Sequence, residues 1–105
     1  MEKIGTIIKQ FWDNATQSHY LIIEDQEKNI WSFGGCTLSS EDLVQAWNRH
    51  LYRLFRHSSK DDLIGKSVHM YFENDELVAI YVYNGGMHIL DLRNIFEEVR
   101  INEKD

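Results

Sequence analysis

Apolar runs of two kinds follow one another along this chain. Three short runs rich in β-branched and aromatic residues come first, at residues 3–12, 18–24 and 30–33, and a polar or glycine-rich turn follows each of them. Such runs predict β-strands. The apolar positions of the first run do not alternate cleanly, so we expect a β-bulge near Ile7 and Ile8 that curves the strand.

A long amphipathic segment comes next, and it predicts a helix over residues 39–57. Ser39 is placed to cap the N-terminus of this helix, and Asp42 follows three residues later, near the positive end of the helix dipole. Apolar residues then recur at helical spacing on one face. They are Leu43, Val44, Trp47, Leu51, Leu54 and Phe55.

The second half of the chain predicts a hairpin and a second helix. Residues 66–73 alternate apolar and polar side chains, and a tight Asn-Asp turn leads into residues 76–83. Residues 87–90 allow one more short strand. In the tail, Asp91 is a suitable cap for a C-terminal helix, whose apolar positions keep helical spacing. These positions are Leu92, Ile95, Phe96 and Val99.

In order, these elements are β-β-β-α-β-β-α, which indicates an α+β fold in a single domain spanning residues 1–105. Five antiparallel strands with a helix between the third and the fourth is the element order of the OB-fold, a small barrel often used to bind single-stranded nucleic acid. We therefore expect a five-stranded curved antiparallel sheet or a small OB-like barrel, with one long amphipathic helix and a C-terminal helix. An open sheet, with one face covered by the long helix, is the alternative.

Among OB-folds, the first strands resemble those of the cold-shock domain. Residues 5–14, Gly-Thr-Ile-Ile-Lys-Gln-Phe-Trp-Asp-Asn, are similar to the first strand of that family but longer, and residues 20–25 and 30–33 are similar to its second and third strands. Residues 63–72 resemble the stretch that leads into its fourth strand. The Lys-Gly-Phe-Gly-Phe signature of the family is absent, and Gln-Ser-His-Tyr at residues 17–20 stands in its place. The family also lacks a long helix between its third and fourth strands.

Composition restricts the classes of partner. The chain has 11 basic and 17 acidic residues, for a formal net charge of -6, which argues against attraction to bulk nucleic acid or to an anionic membrane. No run of 18 apolar residues occurs, so we expect no membrane partner. A single cysteine, Cys36, cannot form an internal disulfide, and together with the lack of a signal-peptide pattern it predicts a cytoplasmic protein.

Two groups of residues are candidates for contacts with single-stranded RNA or DNA. Aromatic residues fall on the first three predicted strands, where they either form a stacking platform for bases or fill the core. They are Phe11, Trp12, Tyr20, Trp31 and Phe33. Basic residues recur at helical spacing on the long helix, opposite its apolar stripe, where they either bind phosphate or form an ordinary solvated face. They are Arg49, Arg53, Arg56 and Lys60.

The predicted nucleic-acid interface combines members of both groups with one lysine from the first strand. Its residues are Lys9, Trp12, Tyr20, Trp31, Arg49, Arg53 and Arg56. The alternative function is that of a small acidic protein-interaction factor. Such an inhibitor, immunity protein or accessory factor would act on a protein partner through its acidic surface or an apolar patch.

No arrangement of residues indicates a reaction. No motif joins a nucleophile to an acid or a base, and none of the five histidines has a partner at the helical spacing of a metal site. We therefore expect neither an enzyme nor a bound cofactor.

The final predicted hairpin carries apolar or aromatic side chains on both of its faces. Tyr71 alternates with the apolar residues of its own strand, and Tyr81 and Tyr83 lie on one face of the next. A sheet that is covered on one side only does not require this. We therefore expect the tyrosine-bearing face to be covered either by the C-terminal helix or by a second copy of the chain in a homodimer.

Overall fold

The structure is a computed structural model that describes residues 1–15, 17–34, 40–55, 63–83 and 86–103. These residues form six strands and two helices. In chain order they are β1 (Glu2–Asp13), β2 (Ser18–Asp25), β3 (Ile30–Gly34), α1 (Glu41–Phe55), β4 (Ser67–Glu73), β5 (Glu76–Tyr83), β6 (Met87–Asp91) and α2 (Leu92–Glu103).

The six strands form one antiparallel sheet in the order β3-β2-β1-β4-β5-β6. The long strand β1 lies in the middle, where it pairs with β2 and, through its first half, with β4. Its pairing with β2 shifts register between Ile7 and Lys9, which confirms the predicted bulge. Because of the extra residue, Lys9 and Phe11 share the face that Ile4 and Thr6 occupy before the bulge.

The sheet differs from the predicted one in strand number and in closure. It has six strands rather than five, and it is not closed into a barrel. Closure would require β3 to pair with β5, but β5 already has β4 on one side and β6 on the other. The pairing of β1 with both β2 and β4 is compatible with an OB-like arrangement. The open sheet with helices on one face, which was the alternative, is the arrangement that forms.

Both helices pack on the same face of the sheet, here called the helix face. The core that they share with the strands includes Trp47 and Leu51 of α1 and Ile95 of α2, all fully buried. Helix α1 contacts both β2 and β6. Those strands would lie about 19 Å apart in a flat sheet, whereas a helix is about 10 Å across. The sheet therefore curves around α1.

A polar side chain caps the N-terminus of each helix. Ser40 caps α1, because its Oγ accepts a hydrogen bond from the Leu43 amide at 3.2 Å. The predicted cap, Ser39, lies outside the described residues. Asp91 caps α2 as predicted, since its Oδ1 accepts a hydrogen bond from the Arg93 amide at 2.9 Å. The turn between β4 and β5 is also as predicted, with positive φ angles of 51° and 64° at Asn74 and Asp75.

The indole of Trp47 fits against a glycine of β3. Gly34 has a φ of 95°, and a Cβ at this position would lie 2.5 Å from the Trp47 ring. The indole also packs edge-to-face on Phe33, and its Nε1 donates a hydrogen bond to the His19 carbonyl at 2.6 Å. Position 34 therefore requires glycine both for its backbone conformation and for space.

We expect Gly34→Ala to lower the free energy of unfolding by about 3 kcal/mol, because it combines a left-handed alanine with a clash in the core. Gly65→Ala is the matched control. Gly65 has a similar φ of 90° and open space around its Cβ position, so only the backbone cost of about 1 kcal/mol applies. Urea denaturation of the two variants measures the difference, and equal losses would contradict the packing role of Gly34.

Candidate nucleic-acid interface

The structure divides the predicted interface residues among three places. Lys9 and Tyr20 lie on the outer face of the sheet, opposite the helices. Trp12, Arg49 and Arg53 lie on the helix side. Trp31 packs on the helix face near β4, and Arg56 lies outside the described residues.

Three rings form a continuous row at the end of β1 and β2 that lies beside α1. Trp12 pairs across the strands with His19, with ring centroids 4.8 Å apart, and His19 meets Tyr52 of α1 at 5.3 Å. Both contacts are edge-to-face. The central His19 is only 7% exposed, whereas Trp12 and Tyr52 are 43% and 46% exposed. The row therefore offers two accessible aromatic side chains held by a buried one.

Polar contacts from α1 fix the position of this row. The side-chain oxygen of Asn48 accepts a hydrogen bond from the His19 amide at 3.2 Å, and its nitrogen donates to the Gln17 carbonyl at 3.1 Å. Gln10 donates from its side-chain amide to Nδ1 of His19. With the Trp47 indole on the His19 carbonyl, these bonds hold β2 against the middle of the helix.

Two arginines flank the exposed tyrosine on the solvent side of α1. Arg49 and Arg53 are one helical turn apart and line, with Gln45, Asn48 and Tyr52, a groove of about 630 Å³. The two arginines and the three rings (Trp12, His19 and Tyr52) are called here the aromatic–arginine surface. It brings together exposed aromatic rings and exposed cations in the described part of the chain.

The two arginines differ in how much of their charge is already neutralised. Arg49 pairs with Glu98 of α2 at 2.9 Å, and His50 contacts the other oxygen of the same carboxylate at 3.1 Å. The hydrogen bond from His50 and the charge of Arg49 lower the pKa of Glu98, against an opposing effect of burial. Arg53 makes no ion pair with any described residue, so it carries the available positive charge.

The predicted residues on the outer face form a separate and smaller group. Phe11 and Tyr20 stack with ring centroids 5.4 Å apart, and the Lys9 ammonium lies 5.7 Å from the Phe11 centroid. The cation thus lies over the ring face that a base would use. This group offers one partly exposed ring, because Tyr20 is half-buried.

The side chains of Trp31 and Phe33 pack against other aromatic residues of the fold. Phe33 is 1% exposed, and the Trp31 ring packs edge-to-face on Phe72 at 4.7 Å. The Trp31 Nε1 donates a hydrogen bond to Oδ2 of Asp25 at 3.0 Å, and the Lys3 ammonium lies 5.6 Å from the ring. These contacts tie Trp31 to the turn between β2 and β3.

Asp25 organises that turn as a buried carboxylate. Besides the indole, it accepts hydrogen bonds from the amides of Glu27 at 2.8 Å and Asn29 at 2.9 Å, and Lys3 lies 3.6 Å away. The hydrogen bond from Trp31 is the largest cause that lowers the pKa of Asp25 to about 2, burial acts against it, and the backbone amides add to the lowering. Asp25 therefore remains ionised over the whole neutral range.

Sequence reasoning missed Asn48 and Tyr52. The signal for Tyr52 is present, since a tyrosine lies on the polar side of an otherwise amphipathic helix between two arginines. Asn48 carries no such signal, because its role depends on the distance between α1 and β2.

Metal sites and membrane-spanning helices have no counterpart among the described residues. No group of three His, Cys, Asp or Glu side chains there is arranged to hold a metal ion. No helix in the described segments is long and apolar enough to cross a membrane. Comparison with known proteins gives no match to a family model, to a curated protein or to a solved structure. The ligand class is therefore inferred from the residues of the surface.

Acid should weaken the fold through Asp25. Because its pKa is about 2 in the folded protein against an ordinary 3.8, its stabilising effect is complete above about pH 5 and is lost as the pH falls through 3.8 towards 2. Asp25→Asn should be less stable at neutral pH and should show a shallower loss between pH 4 and 2. Trp31→Phe, which removes the indole donor, should move the loss to higher pH. Urea denaturation across this range measures both, and unchanged profiles would contradict the assignment.

Proposed function

We propose that this protein binds single-stranded RNA or DNA through the aromatic–arginine surface. The observation that carries the proposal is the row in which exposed Trp12 and Tyr52 flank a buried histidine, next to Arg49 and Arg53 on the same helix. Binding surfaces for single strands combine such rings with cations that follow the backbone.

Each part of the surface has a distinct task in this proposal. An unstacked base can lie on the exposed face of Trp12 or Tyr52, which contributes about 1–3 kcal/mol per base. The planar guanidinium of Arg53 can donate hydrogen bonds to two phosphate oxygens at once. Gln45 lines the same groove and offers its side-chain amide to base edges or sugar hydroxyls, whereas the amide of Asn48 is engaged by the backbone of Gln17 and His19.

The charges of the protein determine how its affinity for a single strand should depend on salt. The protein carries a net charge of -6, so stacking must contribute more than long-range attraction. Two arginines neutralise at most two phosphates, which corresponds to a slope of about -1.4 for log K against log salt on a single strand. Paired bases do not present their faces, so duplexes should bind more weakly.

The resemblance of the first strands to cold-shock domains favours the same class of ligand. In this proposal α1, which that family lacks, supplies the cations. Lys9 and Tyr20, with Phe11, lie on the opposite face of the sheet and form the competing location for a single strand.

The second candidate is an acidic protein-interaction factor. Glu73, Asp75 and Glu76 are exposed around the turn between β4 and β5, in a protein with an excess of acidic residues. A basic partner could bind there. This function becomes the preferred one if no nucleic acid binds.

Fluorescence anisotropy with a labelled mixed-sequence strand of about 15 nucleotides at low salt tests the proposal. Trp12→Ala should weaken binding about 10-fold by removing one stacking surface. Arg53→Gln should weaken it and reduce the salt slope by about 0.7.

Two matched variants on the outer face are the controls. Phe11→Ala also removes an exposed aromatic ring, and Lys9→Gln also removes a cation that makes no ion pair with a described residue, so both should bind like the unchanged protein. If these two variants lose binding while Trp12→Ala retains it, the interface is on the outer face. Absence of binding at tens of micromolar would exclude the proposed function and favour the acidic interaction factor.

A further inference from the structure

The outer face of the sheet has no covering element among the described residues. Helix α2 buries Leu92, Ile95 and Val99 in the core together with α1, so it packs on the helix face. The predicted alternative, in which the tail helix covers the tyrosines, is therefore not the arrangement that forms.

Large apolar side chains lie in register across this uncovered face. Ile4, His69, Tyr81 and Ile89 form one row across β1, β4, β5 and β6. The neighbouring row places Tyr83 opposite Met87, and Tyr71 packs against Tyr81 at 5.0 Å on the other side. The apolar and aromatic residues of these rows are called the tyrosine face. They are Ile4, Tyr71, Tyr81, Tyr83, Met87 and Ile89.

Exposure on this face is high for residues of this kind. Tyr83 is 68%, Met87 60% and Ile89 52% exposed. Single exposed apolar side chains are ordinary, but a contiguous group on adjacent strands marks an interaction surface. We propose that the tyrosine face binds a second copy of this chain in a two-fold symmetric, face-to-face dimer.

Charge favours a second copy over an ionic partner. Two molecules that each carry -6 repel one another, and this repulsion is smallest if they meet through a face with little unpaired acidic charge. Glu2, which lies opposite Tyr71 on this face, contacts His69 at 2.8 Å, and Asp91 at its border pairs with Arg93 at 2.9 Å. A face of uncharged rings and aliphatic groups is complementary to itself, as a two-fold contact requires.

The size of the sheet is consistent with such a contact. Six strands at about 4.8 Å make a width of about 24 Å, and seven-residue strands are about 23 Å long, so one face covers on the order of 550 Å² in projection. Protruding side chains increase the accessible area beyond the projection, towards the roughly 800 Å² per partner of a specific interface. The contact therefore has to use most of the outer face, from β6 towards β1.

The dimer would leave the aromatic–arginine surface free, because that surface lies on the helix side. Each dimer would then present two such surfaces on opposite sides. Self-association and nucleic-acid binding can accordingly be tested separately, and neither proposal depends on the other.

Sedimentation velocity from low to several hundred micromolar protein tests the proposal, with Ile89→Glu as the disruptive variant. We expect a monomer–dimer equilibrium that Ile89→Glu weakens about 100-fold, because a charge buried in the contact lacks a partner. Ile101→Glu on α2 is the matched control, since Ile101 has a nearly equal exposure of 53% and the substitution is identical. It should leave the equilibrium unchanged.

Circular dichroism establishes that each variant folds. If Ile89→Glu fails to fold, Met87→Glu at the first residue of β6 replaces it. A monomer at every concentration would overturn the proposal and assign the tyrosine face to a different partner. A dimer that survives Ile89→Glu, or that both variants weaken equally, would also overturn it.

Discussion

The position of α1 against β2 and β3 depends on one buried indole. Trp47 has no exposed surface, donates to the His19 carbonyl, and fills the space that the missing side chain of Gly34 leaves. An indole N–H that is buried without a partner is costly. This contact therefore fixes both the rotation of α1 about its axis and the position of α1 along that axis. Asn48 directly follows Trp47 and Tyr52 lies one helical turn beyond Asn48, so the core contact also places the exposed aromatic row.

Most of the elements could be predicted from the sequence, because local patterns determine them. The Asn-Asp turn, the Asp91 cap and the alternation in β4 each depend on a few neighbouring residues. Closure of the sheet could not be predicted in this way. It depends on whether β6 takes the free side of β5, and a five-residue strand gives little local signal of its own.

In the candidate interface, too, some features follow from local sequence patterns and others depend on contacts between distant parts of the chain. Trp12 and Trp31 are both tryptophans on early strands whose side chains point to the helix side, and nothing local distinguishes them. Trp31 meets Phe72 and Asp25, whereas Trp12 lies next to the small polar region around His19 and remains accessible. Helical spacing predicts the stripe of arginines on α1. It does not predict that Arg49 pairs with the carboxylate of Glu98, because Glu98 belongs to a helix nearly fifty residues further along the chain.

The bulge at Ile8 has a consequence for how a protein of this kind can change over evolution. Because the strand accommodates the extra residue as a bulge, Phe11 faces outward and Trp12 towards the helices, whereas unbroken alternation through that residue would reverse them. Loss of that residue would straighten the strand and leave both rings on their present faces, because Ile7 and Lys9 already face opposite sides of the sheet. A one-codon deletion at the bulge would therefore preserve the distribution of binding chemistry, whereas a deletion between the bulge and Phe11, with the bulge kept, would exchange the two rings between the sides of the molecule.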